Sequence, residues 1–296
     1  MERKPWHGVL VATALPFSAD LGVDLDRFAD HVAWLAASGL DGVTPNGSLG
    51  EYQTLSDAER ADVVEAAVAA APEGFAVIPG VASYGSRDAV RWTEQAAAAG
   101  APAVMLLPPN AFRANEAEVV AHYRAVAAVG LPVIAYNNPF DTKVDLTPEL
   151  LATLSTEGLI AAVKEFSGDP RRFYATAELA PELDLLIGSD DTVLEGVLAG
   201  AKGWVSGYTN AFPRSCAQLF HEATRGEFDR AATLYRLLHP LLRWDSRTEF
   251  VQAIKLSMDV AGRFGGTCRP PRGELGPDVA HAIRELTEKA IAEGAV

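Results

Sequence analysis

The chain is poor in basic residues. It has 25 Lys and Arg against 39 Asp and Glu in 296 residues, which gives a formal net charge of −14 at pH 7. The basic residues are not gathered into a run that would meet a nucleic-acid backbone or an anionic lipid surface. Because long-range electrostatics would repel both partners, we expect neither nucleic-acid binding nor membrane binding.

Cysteines and long apolar runs are also scarce. The two cysteines, Cys216 and Cys268, are too few for a disulfide framework and have no Cys or His neighbour at metal-ligand spacing. No stretch reaches the roughly 20 apolar residues that a membrane span needs, and the first eleven residues lack the apolar core of a signal peptide. We therefore expect a soluble, cytoplasmic protein.

Short apolar runs alternate with helical patterns along the chain. Each run is followed by a Gly, Pro or Asn cluster and then by an Ala- and Leu-rich stretch, which is typical of parallel βα units. The Ser56-Asp57-Ala58-Glu59 sequence before one such stretch has the pattern of a capping box. Eight such runs occur, at residues 8–13, 39–44, 75–80, 102–107, 132–137, 160–164, 183–188 and 203–207.

Eight repeats predict an α/β protein with a closed (β/α)8 barrel, the TIM barrel, over residues 1–212. The remaining residues, 213–296, have only helical patterns and predict a C-terminal helical extension. A doubly wound sheet is the alternative. It is disfavoured because no Gly-x-Gly-x-x-Gly sequence follows the first strand.

Active sites of such barrels form at the carboxyl ends of the strands, so the polar residues there are the candidates. None of the six histidines falls at a predicted strand end, which disfavours a His-liganded catalytic metal. Asp190, Asp191 and Glu51 offer a hard-cation site as an alternative, although each carboxylate also suits a helix cap or a hydrogen-bond acceptor. We predict no metal and no cofactor.

Lys164 follows the apolar run Ile160-Ala161-Ala162-Val163, where a strand approaches its end. Burial there favours the neutral amine, which is a nucleophile for carbonyl carbon. The alternative is a structural lysine paired with Glu165 or with a carboxylate from another strand. Tyr136 ends the preceding strand and is therefore predicted to lie beside Lys164 and to transfer protons.

A glycine-flanked turn, Gly47-Ser48-Leu49-Gly50-Glu51, follows the second predicted strand. Its amides are able to converge on a carboxylate, and Ser48 adds a hydroxyl. A second unusual stretch, residues 243–250, mixes Arg, Trp, Asp and Phe within the helical extension. It is predicted to pack over the barrel mouth, to form a subunit contact, or to be a solvated helix face.

Four motifs in register resemble the dihydrodipicolinate synthase and N-acetylneuraminate lyase family of Schiff-base lyases, and the similarity covers residues 8 to about 262. The turn at residues 47–51 resembles the family's Gly-[Ser/Thr]-Thr-Gly-Glu. Residues 136–139 match Tyr-Asn-x-Pro, residues 163–168 resemble the family's lysine segment, and residues 188–191 match its Gly-x-Asp-[Asp/Glu] turn.

The resemblance implies that Lys164 forms a Schiff base with a 2-oxo acid and that Tyr136 handles protons. Ser48 would continue a hydroxyl relay, and the amides of Ser48 and Leu49 would hold the carboxylate, with Gly47 of the same turn also at the substrate. The Val205 carbonyl would line the same pocket. The resemblance also implies a homo-oligomer, a tetramer or a dimer.

Three positions depart from the synthases of this family. Leu49 replaces a threonine of the carboxylate clamp. Asn110 follows the fourth strand, where the synthases have a Pro-Tyr-Tyr sequence that lends a tyrosine to a neighbouring subunit. Asp141 stands where they place an arginine for the carboxylate of the aldehyde substrate, and an acidic residue there suits hydroxyl or ammonium groups instead. We therefore expect Asn110 and Asp141 to select a different second substrate.

The predicted function is a metal-independent class I lyase acting on pyruvate or a related 2-oxo acid by aldol cleavage or condensation. Two alternatives use the same imine: dehydration of a 2-keto-3-deoxy sugar acid and deamination of a hydroxy-pyrroline-carboxylate. A non-catalytic 2-oxo acid sensor is a further alternative. A phosphate-handling isomerase is disfavoured because residues 207–213 offer little of a glycine-rich phosphate cradle.

Overall fold

The computed structural model describes residues 3–296, and these contain eight strands that pair in parallel. The strands are β1 (Gly8–Ala12), β2 (Gly42–Thr44), β3 (Ala76–Val77), β4 (Val104–Leu106), β5 (Val133–Asn137), β6 (Ala162–Glu165), β7 (Asp184–Ile187) and β8 (Gly203–Ser206). The helices are α1 (Leu25–Ala37), α2 (Asp57–Ala70), α3 (Ser86–Ala98), α4 (Glu116–Ala127), α5 (Pro139–Thr142), α6 (Pro148–Thr156), α7 (Arg171–Leu179), α8 (Val193–Leu198), α9 (Pro213–Thr224), α10 (Phe228–Leu242), α11 (Phe250–Val260) and α12 (Pro277–Ala292). Seven of the eight predicted apolar runs contain a strand, and the run at residues 160–164 overlaps β6, which extends one residue further.

The sheet closes into a barrel. Neighbouring strands pair in the order β3-β2-β1-β8-β7-β6-β5-β4. The two ends of this order meet where Gly80 pairs with Met105, with the Met105 amide donating to Pro79 O and the Val81 amide donating to Met105 O, both at 2.9 Å. The predicted (β/α)8 barrel is therefore confirmed. The ladder of β3 is shorter than its apolar run because Pro79 has no amide hydrogen to donate.

Side chains on the strands alternate between the barrel interior and the helix layer, as a period of two requires. One apolar cluster fills the interior and includes Leu10, Ile78, Met105, Ile134 and Leu186. A larger cluster joins the outward-facing strand residues to the surrounding helices. Because the interior is packed, open space remains only beyond the strand ends.

Helix starts follow the capping signals of the sequence. At α2 the Ser56 hydroxyl accepts from the Glu59 amide at 3.3 Å and the Ser56 amide donates to the Glu59 carboxylate at 2.8 Å. This reciprocal pair is the predicted capping box. Asn115 and Glu118 form the same arrangement at α4.

The last helices cover one side of the barrel. Helix α9 packs against β1 and α8, while α11 packs against α12 and the 3₁₀ turn Tyr208–Asn210 that follows β8. The segment between α10 and α11 is thereby brought to the carboxyl ends of the strands. The division of the chain at residue 212 stays a prediction. Within residues 3–296, none of the helices combines the length and apolar character that crossing a membrane would require.

Candidate active site at the carboxyl ends of the strands

A cavity of about 310 Å³ lies at the carboxyl ends of the strands. Its walls come from the ends of β1, β2, β5 and β6, from the loops that follow β2 to β5, and from the segment between α10 and α11. Among the lining residues are Gly47, Ser48, Leu49, Tyr136, Asp141 and Lys164. Six of the predicted site residues therefore share one cavity.

Lys164 lies at the base of this cavity and is only 6% exposed. Its Nζ lies 4.3 Å from the centroid of the Tyr136 ring and 5.8 Å from that of the Phe166 ring. Among residues 3–296, no carboxylate lies within 4 Å of Nζ. Burial lowers the pKa of Lys164, although the charges of Asp245 and Asp190 act in the opposite direction. The amine is thus held closer to its neutral, nucleophilic form.

Glu165 is engaged elsewhere, so the predicted alternative of a Lys164–Glu165 pair is wrong. The Glu165 carboxylate accepts from the Ser167 amide at 2.6 Å and from Asn137 Nδ2 at 3.0 Å. Arg172 Nε lies 3.5 Å from it. Adjacent residues of a strand point to opposite faces, which separates Glu165 from Lys164 despite their adjacency in the sequence.

Tyr136 is the direct parallel-strand partner of Lys164, as β5 and β6 pair in register at these two residues. The Tyr136 hydroxyl accepts a hydrogen bond from Asn138 Nδ2 at 3.3 Å, and the same amide group donates to Asp141 Oδ2 at 2.8 Å. Burial, followed by the charges of Asp245 and Asp141, raises the pKa of Tyr136 well above its usual value. The phenol therefore keeps its proton and is a hydrogen-bond donor to any oxygen formed beside Lys164.

The turn that follows β2 presents unpaired amides to the cavity. Asn46 and Glu51 flank it and both have left-handed backbone angles, with φ of 57° and 53°. The amides of Ser48 and Leu49 donate no hydrogen bond to any residue between 3 and 296. A Cβ at Gly80 would lie 2.4 Å from Asn46 O, so only glycine allows this close approach. Adjacent free amides are a recognised arrangement for binding a carboxylate.

Glu51 and Lys255 form a buried ion pair that the sequence did not predict. Lys255 Nζ donates to Glu51 Oε1 at 2.8 Å, and the exposed fraction of the side chain is 1% for Lys255 and 0% for Glu51. The Arg269 amide donates to the other Glu51 oxygen at 2.9 Å. The only sequence signal was a lysine inside the apolar stretch of α11. The pair fixes the end of the turn at residues 47–51 to the C-terminal helices.

Asp190 is also used as an acceptor. It accepts from Trp204 Nε1 at 2.9 Å and from the amides of Tyr208 at 2.8 Å and Gly207 at 3.2 Å. Burial raises the pKa of Asp190 to about 7. In the part of the chain that the structure describes, no group of three or more His, Cys, Asp or Glu residues is placed to hold a metal ion.

Asp245 is a cavity residue that sequence reasoning did not single out. It lies between α10 and α11, is 7% exposed, and shares the cavity with Lys164 and Tyr136. Burial and the charge of Asp190 raise its pKa well above the usual value, while the charge of Lys164 opposes this shift. Of the three interpretations of residues 243–250, packing over the barrel mouth is the correct one for the cavity-lining part.

Two predicted site residues do not line the cavity. Val205 packs inside the barrel with Leu10 and Leu186. Asn110 lies behind the wall, where its side-chain amide donates to the Tyr52 hydroxyl at 3.4 Å, and Tyr52 itself lines the cavity. Asn110 is therefore connected to the cavity through Tyr52.

Comparison with known proteins agrees with this geometry. A family model described as the dihydrodipicolinate synthetase family matches residues 5–290. The chain is 31% identical to the 4-hydroxy-tetrahydrodipicolinate synthase of Methanospirillum hungatei over 96% of this chain and 99% of the relative. It is 32% identical to an uncharacterised DapA-like lyase of Halobacterium salinarum over 94% and 91%. The crystal structure of dihydrodipicolinate synthase from Aquifex aeolicus superposes with a TM-score of 0.91 at 27% identity, covering 96% of this chain and 98% of that one.

Proposed function

The chain belongs to the dihydrodipicolinate synthetase family, and we propose that it is a metal-independent class I lyase whose Lys164 forms a Schiff base with pyruvate or a related 2-oxo acid. The observation that carries this proposal is the environment of Lys164. Its amine is buried, has no carboxylate within 4 Å among the described residues, and faces the ring of Tyr136 at the base of a cavity.

In the first step, the neutral Lys164 amine attacks C2 of the 2-oxo acid, and the carbonyl oxygen takes up a proton. The Tyr136 phenol donates this proton, takes one proton from the attacking nitrogen, and passes it to the new hydroxyl, which leaves as water and gives a protonated imine. The substrate carboxylate is held by the amides of Ser48 and Leu49, with the Ser48 hydroxyl beside them. The turn therefore fixes the C1–C2 bond next to the amine.

The imine withdraws electrons from C3, so a proton or a carbon substituent can leave from C3 and give an enamine. When the C3–C4 bond breaks, the hydroxyl on C4 loses its proton and an aldehyde departs, and condensation is the reverse. Protonation of the enamine at C3, followed by hydrolysis of the imine, releases the 2-oxo acid and the Lys164 amine. We assign to Tyr136 the acceptance of the C4 hydroxyl proton and its return to C3 of the enamine.

We propose a second substrate that differs from that of the synthases. Asp141 lines the cavity and is exposed, and its carboxylate is fixed by Asn138 beside Tyr136. A carboxylate on that side of the substrate would be repelled by Asp141. This supports a substrate with a hydroxyl or ammonium group there.

The same position supports the second candidate function. A dehydratase or a deaminase needs a group beside the leaving hydroxyl or amine, and Asp141 with Asn138 offers a carboxylate and an amide there. Conversion of a 2-keto-3-deoxy sugar acid or of a hydroxy-pyrroline-carboxylate would then proceed through the same Lys164 imine. A panel of such substrates, followed by product identification, separates these reactions from aldol cleavage.

The first test is reduction of the protein with borohydride in the presence of pyruvate, followed by intact-protein mass measurement. We expect a pyruvate-sized adduct on the native chain and none on Lys164→Arg. Lys143→Arg is the matched control, because Lys143 is exposed next to Asp141 and is expected to leave the adduct unchanged. Absence of an adduct on the native chain with pyruvate and with longer 2-oxo acids would refute the proposal. An adduct without turnover on any substrate would favour the sensor.

We also propose a homo-oligomer, a tetramer or a dimer, in the cytoplasm. Exposed aromatic residues support the homo-oligomer: Tyr84 is 74%, Phe112 is 54% and Phe140 is 60% exposed. These residues follow β3, β4 and β5 and therefore lie at the same end of the barrel. Exposed apolar surface of this kind is covered when subunits associate. Sedimentation analysis should therefore give a mass above that of one chain.

A further inference from the structure

Two arginines stand on the rim of the cavity that holds Lys164. Arg247 lies between α10 and α11, and Arg272 lies between α11 and α12. The Arg272 guanidinium donates to the backbone oxygen of Thr248 at 3.4 Å, so it is attached to the residue next to Arg247. The two side chains therefore belong to one part of the rim, although 24 positions separate Thr248 from Arg272 in the sequence.

Neither rim arginine forms an ion pair within residues 3–296. The Arg247 guanidinium lies 4.6 Å from the centroid of the Trp244 ring, and that of Arg272 lies 5.2 Å from the Phe250 ring. Aromatic contacts order a guanidinium without using its charged hydrogen bonds. By contrast, Arg269 binds the Glu59 carboxylate through two nitrogens. The rim arginines are thus ordered cations, and apart from the Arg272 Nη1 donor to Thr248 O their guanidinium donors are left for a ligand.

The charge of the cavity differs from that of the chain. In the described part of the protein its lining holds the cations Arg247 and Arg272 and the carboxylates Asp141 and Asp245, besides the Lys164 amine that is held toward its neutral form, so the lining itself is not acidic. The whole chain carries −14. Within this cavity the groups able to bind an anion lie at two levels, since the free amides of Ser48 and Leu49 lie inside it and Arg247 is exposed at the rim. A ligand that fits both levels has two anionic ends.

We propose that Arg247 and Arg272 form a second anion subsite and that the substrate is a 2-oxo acid with a carboxylate at its far end. This inference rests on the proposed function, since the first carboxylate is taken to lie on the turn amides beside Lys164. Arginine pairs hold carboxylates and phosphates alike. A carboxylate is favoured because residues 207–213, after β8, provide no glycine-rich loop for a phosphate. Asp141 repels the far carboxylate from the β5 side and directs it toward the arginines.

Imine trapping with two 2-oxo acids of equal chain length tests the subsite. We expect 2-oxoglutarate to reach half-maximal trapping at a concentration about 10- to 100-fold lower than 2-oxopentanoate, which lacks the far carboxylate. In the Arg247→Gln/Arg272→Gln variant this preference should vanish. Arg243→Gln is the matched control, because Arg243 is an exposed arginine at the end of α10 that does not line the cavity.

A binding measurement that needs no imine keeps this inference separate from the proposed function. Glutarate and pentanoate have no ketone and cannot form an imine, so calorimetry reports the two anion sites alone. Tighter binding of glutarate by the native chain, lost in the double glutamine variant and kept in Arg243→Gln, supports the subsite even if no 2-oxo acid is trapped. Equal binding of both acids, or a glutarate preference that survives in the double variant, would overturn it. Binding of 4-phosphonobutyrate tenfold tighter than glutarate would overturn the choice of a carboxylate.

Discussion

Glu51 and Lys255 are joined by a 2.8 Å hydrogen-bonded ion pair in which neither side chain is accessible to solvent. One residue ends the turn that presents free amides to the cavity, and the other lies in α11 of the C-terminal extension. The pair is therefore a direct structural link between the extension and the proposed carboxylate site.

Lys255→Met should destabilise the protein by about 3–5 kcal/mol, because it leaves the Glu51 carboxylate buried without its partner. The Glu51→Leu/Lys255→Met double variant removes both charges and should lose less than the single variant. The measurement is the midpoint of urea unfolding, compared between variants whose unfolding free energy has the same dependence on urea concentration. A loss below about 0.5 kcal/mol in Lys255→Met, the size typical of a surface change, would show that the pair contributes nothing to stability.

Tyr136→Phe should lower kcat by about 10²- to 10⁴-fold, the usual contribution of a positioned proton donor. The variant retains the ring against Lys164, so trapping of the pyruvate imine should still occur at equilibrium. Tyr123→Phe is the control. The buried Tyr123 hydroxyl donates to Leu106 O at a distance of 2.9 Å, and Tyr123 does not line the cavity. An equal loss of kcat in the two variants would remove Tyr136 from proton transfer.

Asp245→Asn should shift imine formation to lower pH. The Asp245 charge raises the pKa of Lys164, so its removal lowers that pKa and makes the neutral amine available in more acidic solution. The rate of cyanoborohydride trapping with pyruvate, measured as a function of pH, gives the midpoint.

Asp141→Asn is the control for that experiment, as Asp141 is an exposed carboxylate of the same cavity, while the charges that raise the pKa of Lys164 are those of Asp245 and Asp190. Its midpoint should match that of the native chain. A midpoint of Asp245→Asn that stays in place or moves upward contradicts the assigned electrostatic role.

His31 should make the protein less stable in acid. It is buried on α1 with Nε2 2.9 Å from Asn210 Oδ1, and burial lowers its pKa to about 4 from 6.5. Between these pH values the unfolded chain binds the proton and the folded chain does not, so stability falls as the pH drops from 6.5 toward 4. The full effect is roughly 3 kcal/mol.

Free energies of unfolding at pH 7 and pH 4.5 measure this effect. The difference between the two pH values should be smaller in His31→Gln than in the native chain. His281→Gln, at a side chain that is 73% exposed, should leave the difference unchanged. The assignment fails if both variants show the native difference.

The fold was predicted from sequence patterns among residues that are near one another in the chain. Three signals depend only on residues that are close together in the chain: strand-sized apolar runs, helix caps such as Ser56, and the absence of a dinucleotide-binding glycine sequence. They are local because hydrogen bonds within helices and turns join residues a few positions apart. The relation of Tyr136 to Lys164 was also accessible, since consecutive strands of a parallel barrel are neighbours and place their ends together.

The sequence by itself thus determined the barrel, the position of Lys164 at a strand end and the turn that presents its amides. Only the tertiary structure decided that Asp245 and the rim arginines line the cavity of Lys164, that Lys255 pairs with Glu51, that Lys164 is not paired with Glu165, and that Val205 lies inside the barrel. The physical reason is that these relations depend on how α10 to α12 pack across the barrel mouth and on which strand face each side chain occupies. Contacts between residues about 200 positions apart leave no periodic signal in the sequence. Packing requires that two side chains fit in shape and charge, but it does not require a fixed number of residues between them.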